Sequence, residues 1–201
     1  MIPKHVAQHF QKVDPILYNA ISLLQSPIYI TPKAEYFSAL CESIISQQIS
    51  TKAGDAIWGR FKSLFPQEQV SANFAIIMQP DILRSIGLSG SKARYIHDLS
   101  LKVTTKEIQL DTLSSKSADE IMKELTKVKG IGPWTVEMFL MFTLGREDIF
   151  STKDLGLKRG IQKLYKISHE PTIAELENIS HIWSPYRTYA SLLLWRSLST
   201  K

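Results

Sequence analysis

Cysteine is almost absent from this chain, because Cys41 is the only one among 201 residues. The chain therefore cannot form an internal disulfide, and it cannot supply a four-cysteine zinc or iron–sulfur site. Cys41 lies in an apolar run, which is typical of a buried thiol that behaves as a small hydrophobic residue.

Long apolar runs are absent as well. No stretch approaches the roughly 20 residues of a membrane-spanning helix, and residues 1–10 lack the apolar core of a signal peptide. We therefore expect an intracellular protein with no membrane partner.

The excess of one charge is also small: 24 Lys and Arg against 19 Asp and Glu leave a net charge of +5, which favours polyanionic partners without requiring them.

Alternating apolar and polar residues, the pattern of a half-buried strand, are scarce. Apolar residues instead recur every three or four positions, which predicts an all-α protein, and the hydrophobic content of 44% suffices for a packed core. Ser50, Ser117 and Asp154 stand where helix N-caps are expected, and Ser117 with Glu120 has the form of a capping box. The pattern predicts helices over residues 6–24, 36 to near 49, 53–65, 82–88, from 92, from 117, 133 to near 145, 155–165, 173–179 and 186–197.

The most informative stretch, residues 128–135, reads VKGIGPWT. Gly130 and Gly132 permit a tight turn with positive φ, and Pro133 suits the first position of a helix, where no backbone N–H is needed. The pattern predicts a helix, a short hairpin and a second helix over approximately residues 118–144. The N–H groups at the start of the second helix, together with the positive end of its dipole, form an anion site that a nucleic-acid phosphate would fit.

Asp154 is the only acidic residue between positions 149 and 169. The basic residues near it in sequence are Lys153, Lys158, Arg159, Lys163 and Lys166. Nearby positive charge favours the ionised carboxylate, so we expect Asp154 to act as an anion rather than as a proton donor. A role as N-cap of the helix that begins at Leu155 is equally compatible with its position, and the two roles can coexist.

The hairpin, Trp134, the spacing to Asp154 and the segment WSPYRTYA at residues 183–190 together resemble the helix-hairpin-helix (HhH-GPD) DNA glycosylase superfamily. Within it, the chain is most similar to the 3-methyladenine DNA glycosylase II branch, over roughly residues 35–197. The resemblance implies an all-α, two-lobed fold made by a single domain over residues 1–201, with the active-site cleft between the lobes. The lobes are expected at approximately residues 35–115 and at 1–34 together with 116–201.

The resemblance assigns Asp154 to the catalytic aspartate of this superfamily. It would act on an oxocarbenium-like transition state, either by stabilising the cationic sugar or by activating the incoming water, and the sequence leaves both open. In members that also cleave the DNA strand, a lysine nucleophile stands two residues after the second hairpin glycine. Trp134 occupies that position here, which favours a monofunctional glycosylase with water as the nucleophile.

A glycosylase of this kind extrudes the damaged nucleotide, and an alkylated purine carries a positive charge that attracts aromatic faces. The resemblance places Trp134 and Trp195 in the base pocket. Met138 stands there in place of a family tyrosine, which leaves the damage spectrum open because a thioether is less selective for shape than a phenol. Packing in the core is the alternative for each of the three. Gln48 corresponds to the side chain that fills the space left by the flipped nucleotide, with an exposed helix-end residue as the alternative.

The resemblance also implies how DNA is held. Phosphate contacts are expected at the hairpin and at a second turn, from Lys129, Gly130, Gly132, Thr135, Gly90 and Lys92. The backbone carbonyls of Val128 and Ile131 are expected to hold an optional Na⁺ or K⁺ ion, and no cofactor is required. The partner is double-stranded DNA with a damaged base, bound by a monomer in the cytoplasm of a prokaryote, at the nucleoid, or in a eukaryotic nucleus.

The leading interpretation is an enzyme of base excision repair that hydrolyses the N-glycosidic bond of alkylated purines, such as 3-methyladenine and 7-methylguanine, without strand cleavage. Two alternatives stay open. One is a glycosylase for deaminated or mispaired bases, and the other is a non-catalytic DNA-binding module that has kept the hairpin.

Overall fold

The computed structural model describes residues 2–199, and every regular element in that range is helical, which confirms the all-α prediction. No helix in this part of the chain is both long enough and apolar enough to cross a membrane. The α-helices are α1 (Lys4–Val13), α2 (Pro15–Asn19), α3 (Tyr36–Ser46), α4 (Thr51–Lys62), α5 (Ala72–Ala75), α6 (Pro80–Ser85), α7 (Gly90–Thr104), α8 (Ala118–Leu125), α9 (Pro133–Phe142), α10 (Leu155–Tyr165), α11 (Ile173–His181) and α12 (Arg187–Ser199). Short 3-10 helices lie at Ala20–Leu23, Pro66–Glu68 and Leu110–Ser115.

The single helix predicted over residues 6–24 is wrong, because the chain breaks at Asp14. α1 ends at Val13, and α2 begins at Pro15. Proline lacks an N–H donor and is tolerated in the first turn of a helix but not in its interior. The Asp14 carboxylate then caps α2 by accepting the backbone N–H of Leu17 at 3.0 Å.

Three predicted N-caps are confirmed by side-chain hydrogen bonds. Ser50 accepts a backbone N–H of α4 at 3.3 Å, and Ser117 forms a capping box with Glu120 at the start of α8. Asp154 accepts the N–H of Leu157 at 2.8 Å at the start of α10. Each cap gives a partner to an N–H group that the helix itself leaves unbonded, so the local sequence determines where these helices begin.

The chain folds into two compact units. The middle unit comprises Lys33–Phe139, and the terminal unit comprises Met1–Pro32 together with Leu140–Lys201. This division differs from the predicted lobes at the second boundary, because residues 116–139 belong to the middle unit and not to the terminal one.

Hydrogen bonds explain why residues 116–139, which contain the hairpin, belong to the middle unit. The backbone N–H of Gln109 donates to the Glu124 carboxylate at 3.0 Å. The backbone N–H of Lys129 donates to the Asp98 carboxylate at 2.8 Å. These acceptors cannot be inferred from helical periodicity, since they pair residues on different elements.

Each unit buries its own apolar side chains. In the middle unit, α3, α5 and α6 pack against α7. Cys41 is buried there, as predicted, and burial raises the pKa of its thiol. The core side chains of this unit include Leu40, Ile44, Ile45, Phe61, Ile96, Leu99, Ile121 and Leu125. In the terminal unit α10 packs against α12, and the core includes Val6, Phe10, Leu17, Leu157, Ile161, Trp183, Leu193 and Leu194.

Candidate active site

The hairpin between α8 and α9 depends on one glycine with a left-handed backbone. Gly130 has a φ of +83°, and a Cβ at this position would lie 2.1 Å from Cδ2 of Tyr95. Only glycine fits such a turn against a ring. The prediction of positive φ is wrong for Gly132, which is not among the residues with positive φ and where a Cβ would meet no atom within 4 Å. Pro133 is the first residue of α9, as predicted.

Contacts with the residue that follows α3 and with α7 hold the hairpin in place. The Gln47 side-chain amide donates to the Gly130 carbonyl at 2.9 Å and lies 3.5 Å from the Thr135 hydroxyl. Asp98 accepts the Lys129 N–H, and its carboxylate lies 3.5 Å from the Lys102 ammonium. The backbone of the hairpin is thus fixed before any ligand binds, while the Lys129 side chain is exposed.

Thr135, one of the residues predicted to bind phosphate, has a backbone N–H group at the start of α9 but an engaged side chain. The N–H of Val136 donates to the Gly132 carbonyl at 3.1 Å, so the N–H of Thr135 precedes the first hydrogen bond of α9, as expected of an anion site at a helix start. The Thr135 side chain is buried, and its hydroxyl lies against the Gln47 amide. A phosphate contact from Thr135 would therefore use its backbone.

Lys92 is engaged by the protein itself. Its ammonium donates to the backbone carbonyls of Ile45 and Gln47, each at 2.8 Å, and burial lowers the pKa of this lysine. These carbonyls lie at the C-terminal end of α3, where helices leave acceptors unbonded. Gly90 is the first residue of α7, behind the N-cap Ser89. The phosphate role of Gly90 and Lys92 stays a prediction, and Lys92 has a structural role that the sequence did not reveal.

Gln48 lies in the turn between α3 and α4. It is exposed and has a φ of +55°, in the left-handed region that costs a residue with a Cβ roughly 1–2 kcal/mol. The carbonyl of the preceding residue, Gln47, is held by Lys92. The turn therefore presents the Gln48 side chain away from the packed interior.

Asp154 is 9% exposed and is fixed by two N–H donors on one oxygen. Its Oδ1 accepts the backbone N–H of Leu157 at 2.8 Å and the indole N–H of Trp195 at 2.9 Å. These two hydrogen bonds fix the position of this oxygen against α10 and α12. The lysines that follow have other partners: Lys158 lies 3.1 Å from Glu170, and Lys163 donates to the Ser197 carbonyl at 2.6 Å.

Two of the three residues predicted for the base pocket, Trp134 and Met138, lie on α9. Trp134 is 45% exposed and Met138 is half-buried, so neither is an ordinary core residue. Phe142 follows Met138 by one helical turn and is 42% exposed. Trp134, Met138 and Phe142 therefore share one face of α9. The ring of Trp195 lies 6.0 Å from the Phe142 ring with a tilt of 32°.

The sequence interpretation did not single out Phe142, which was treated as part of an apolar helix and whose ring lies beside that of Trp195. The four-residue spacing from Trp134 through Met138 was the signal that could have found it.

The sequence interpretation also missed how the loop that leads to Asp154 is held. There Arg187 donates to the Asp148 carboxylate through Nε at 2.7 Å and through Nη2 at 3.0 Å. This bidentate contact ties the loop to the first turn of α12.

The comparison with known proteins identifies the family. The sequence model of the family described as HhH-GPD superfamily base excision DNA repair protein matches residues 41–185. The chain belongs to this superfamily.

Similar proteins are found by sequence and by structure. A putative DNA-3-methyladenine glycosylase YfjP of Bacillus subtilis is 31% identical over 97% of this chain and 69% of its own length. DNA-3-methyladenine glycosylase 1 of Schizosaccharomyces pombe is 34% identical over 82% of this chain and 73% of its own. The solved structure of the fission yeast 3-methyladenine DNA glycosylase Mag1 with abasic DNA has a TM-score of 0.87 at 28% identity, covering 98% of both chains. A DNA-3-methyladenine glycosidase of Bacillus halodurans has a TM-score of 0.86 at 32% identity, covering 98% of this chain and 90% of its own.

Proposed function

We propose that this protein is a DNA glycosylase of base excision repair that hydrolyses the N-glycosidic bond of alkylated purines, such as 3-methyladenine and 7-methylguanine, in double-stranded DNA. The observation that carries the proposal is the Asp154 carboxylate, whose Oδ1 accepts N–H groups from Leu157 and Trp195. The names of the similar proteins support the same activity and substrate class.

The chemistry follows from the charge of the damaged base. Alkylation at a purine ring nitrogen makes the base cationic, so the bond to C1′ breaks with its electron pair leaving on the base and positive charge developing on the sugar. An ionised Asp154 stabilises that charge electrostatically, and the same group can orient the water that adds to C1′ and loses a proton. The products are the free base and an abasic site.

Strand cleavage is not part of the proposed reaction. It would require an amine nucleophile in the position that Trp134 occupies. The aromatic face of Trp134, exposed near the start of α9, instead suits contact with a cationic base. We propose a monofunctional enzyme that acts as a monomer wherever the cell keeps its DNA, in the cytoplasm of a prokaryote or in a eukaryotic nucleus.

The hairpin supports a grip on one DNA phosphate. The exposed Lys129 side chain and the helix start at Gly132 supply a cation and backbone N–H groups. A Na⁺ or K⁺ ion at the carbonyls of Val128 and Ile131 remains compatible with the turn. The Val128 carbonyl accepts the Ile131 N–H at 3.1 Å, and a carbonyl oxygen has a second lone pair for a cation.

The test is base release from duplexes that contain 7-methylguanine, 3-methyladenine, uracil or hypoxanthine. We expect release of the alkylated purines, with strand breaks appearing only after alkali. Asp154→Asn should lower the single-turnover rate at least about 100-fold and leave binding to abasic DNA in place. Release of uracil or hypoxanthine alone would support a glycosylase for deaminated bases. DNA binding with no base release would support the non-catalytic module.

The phosphate grip is tested by the dependence of DNA affinity on salt. Lys129→Gln should weaken binding and reduce the slope of log K against log salt by about 0.9, because one fewer counterion is released per phosphate contact. Lys12→Gln, which neutralises an exposed lysine on α1, is the control and should leave the slope unchanged. Equal slopes for Lys129→Gln and the wild type would exclude the contact.

A further inference from the structure

Gly156, the second residue of α10, lies beside the catalytic carboxylate. A Cβ at this position would be 2.8 Å from both Cδ1 and Nε1 of Trp195 and 3.0 Å from Oδ1 of Asp154. Real Cβ atoms do not approach heavy atoms at 2.8 Å without displacing them. Glycine at position 156 is therefore what lets the indole ring reach the carboxylate.

The same close approach recurs one turn later on α10. A Cβ at Gly160 would lie 2.9 Å from both Cβ and the carbonyl oxygen of Leu194. Two glycines thus bring α10 close to α12, which carries both Leu194 and Trp195. The two positions differ in one respect: the space at Gly160 is filled by packing alone, whereas the space at Gly156 is filled by the donor of a hydrogen bond to Asp154.

The two donors to Oδ1 of Asp154 come from different sources. The Leu157 N–H belongs to the helix that Asp154 caps, so it is present wherever an aspartate caps a helix. The Trp195 N–H comes from α12 and adds a second direction of restraint. Two convergent donors hold a carboxylate in one rotamer more firmly than a cap alone.

We propose that Gly156 and Trp195 form a positioning pair for the catalytic carboxylate: Trp195 orients Asp154 through its indole N–H, and Gly156 provides the space for that contact. Trp195 then does more than line a pocket for the base. This inference rests on the proposed glycosylase function for its catalytic consequence, but the contact itself can be tested without activity.

Three variants separate positioning from packing. Gly156→Ala should displace the indole, and Trp195→Phe keeps an aromatic ring but removes the N–H donor. Gly160→Ala is the matched control, since it introduces the same methyl group into the same interface without touching Asp154.

We expect Gly156→Ala and Trp195→Phe to lower the single-turnover rate of 7-methylguanine release about tenfold or more, as loss of a hydrogen bond to a charged group predicts. Their affinity for abasic DNA should change less than about twofold, because the phosphate contacts are untouched.

Gly160→Ala should lower stability in urea at least as much as Gly156→Ala does, yet keep the rate within about threefold of the wild type. The double variant Gly156→Ala/Trp195→Phe should lose no more rate than either single variant, since both remove one contact. A wild-type rate for Trp195→Phe, or equal rate losses for the two glycine variants, would overturn the positioning role.

The indole N–H provides a readout that does not depend on catalysis. In a ¹H–¹⁵N spectrum, the Trp195 indole signal, assigned by its loss in Trp195→Phe, should exchange slowly with solvent and should lose that protection in Gly156→Ala and in Asp154→Ala. Retained protection in both would overturn the contact. If the wild type releases no base while the protection behaves as expected, the glycosylase function fails and the positioning contact stands.

Discussion

Trp134 is informative both by its position in the sequence and by its exposure in the structure. In sequence, it occupies the place where a strand-cleaving relative would carry a lysine. In the structure, it is 45% exposed near the start of α9, so the ring is not needed to fill the core. A large aromatic face left this accessible at the first turn of a helix is suited to a ligand rather than to packing.

Trp134→Ala should therefore change activity more than stability. We expect kcat/KM for 7-methylguanine release to fall roughly 30-fold, corresponding to the loss of about 2 kcal/mol of attraction between the ring and a cationic base. Trp134→Phe should retain most of the activity. Thermal unfolding of the alanine variant should differ little from that of the wild type, and a large fall in Tm would instead assign the ring to the core.

At the scale of elements, the hairpin and the helix caps follow different rules. A cap depends on residues three or four positions apart, and the sequence displays it directly. The hairpin depends on the space beside it, because Tyr95 from α7 lies where a side chain at position 130 would have to go. The two hairpin glycines are therefore not equivalent.

Gly130→Ala should destabilise the middle unit by about 2 kcal/mol or more, since it combines a left-handed backbone with an overlap against the Tyr95 ring. Gly132→Ala should cost well under half as much, because its φ is not positive and its surroundings are open. Urea unfolding of both variants measures the difference. Equal losses of stability would mean that the turn does not have this geometry.

The capping box of α11 predicts a dependence of stability on pH. Hydrogen bonds from the Thr172 backbone N–H, from His169 and from the Thr172 hydroxyl lower the pKa of Glu175 from 4.5 to about 2. A carboxyl group whose pKa is depressed by folding stabilises the fold above its unfolded pKa, and this contribution is lost as the pH falls through the folded value.

Glu175→Gln should therefore lower Tm at neutral pH, and the difference from the wild type should narrow as the pH falls from about 4.5 towards 2. Glu177→Gln removes the same charge from an exposed position on α11 outside the box, and it serves as the control. A difference in Tm for Glu175→Gln that stays constant over this range would show that the charge does not contribute.

At the scale of the whole molecule, the terminal unit is assembled from the two ends of the chain. Asp14 is 4% exposed and joins them: its carboxylate caps α2, accepts the indole N–H of Trp183 at 2.8 Å and accepts the hydroxyl of Tyr165. The contact with Trp183 spans 169 positions of sequence. Burial and the neighbouring Asp14 carboxylate raise the pKa of Tyr165, so the hydroxyl remains a donor.

Asp14→Ala should destabilise the terminal unit by about 3 kcal/mol or more, because it removes a cap and takes the acceptor from the buried Trp183 indole and the half-buried Tyr165 hydroxyl. Ser50→Ala, which removes an exposed cap on α4, should cost only about 1 kcal/mol. Urea unfolding followed by tryptophan fluorescence would compare them. Similar losses for the two variants would show that the Asp14 contacts contribute no more than an ordinary cap.

The sequence by itself determined the features that depend on near neighbours. The helical class, the caps at Ser50, Ser117 and Asp154, and the helix start at Pro133 all follow from contacts within four residues, whose geometry the helix imposes. The motif resemblance also identified the family. Pro15 was a signal for the helix break at Asp14. The prediction overlooked it because apolar residues keep a helical spacing on both sides of the break.

Only the tertiary structure decided which distant groups meet. The capping of α3 by Lys92, the amide contact of Gln47 with the hairpin and the indole contact of Trp195 with Asp154 join residues 41 to 83 positions apart. Such contacts depend on which helices pack together and how closely, and small residues such as Gly156 set that distance. Periodicity states that a helix has an apolar face but not what lies against it. For this reason the sequence could single out Asp154 as the candidate catalytic residue and as a helix cap, whereas it could not show that the Trp195 indole donates to the Asp154 carboxylate.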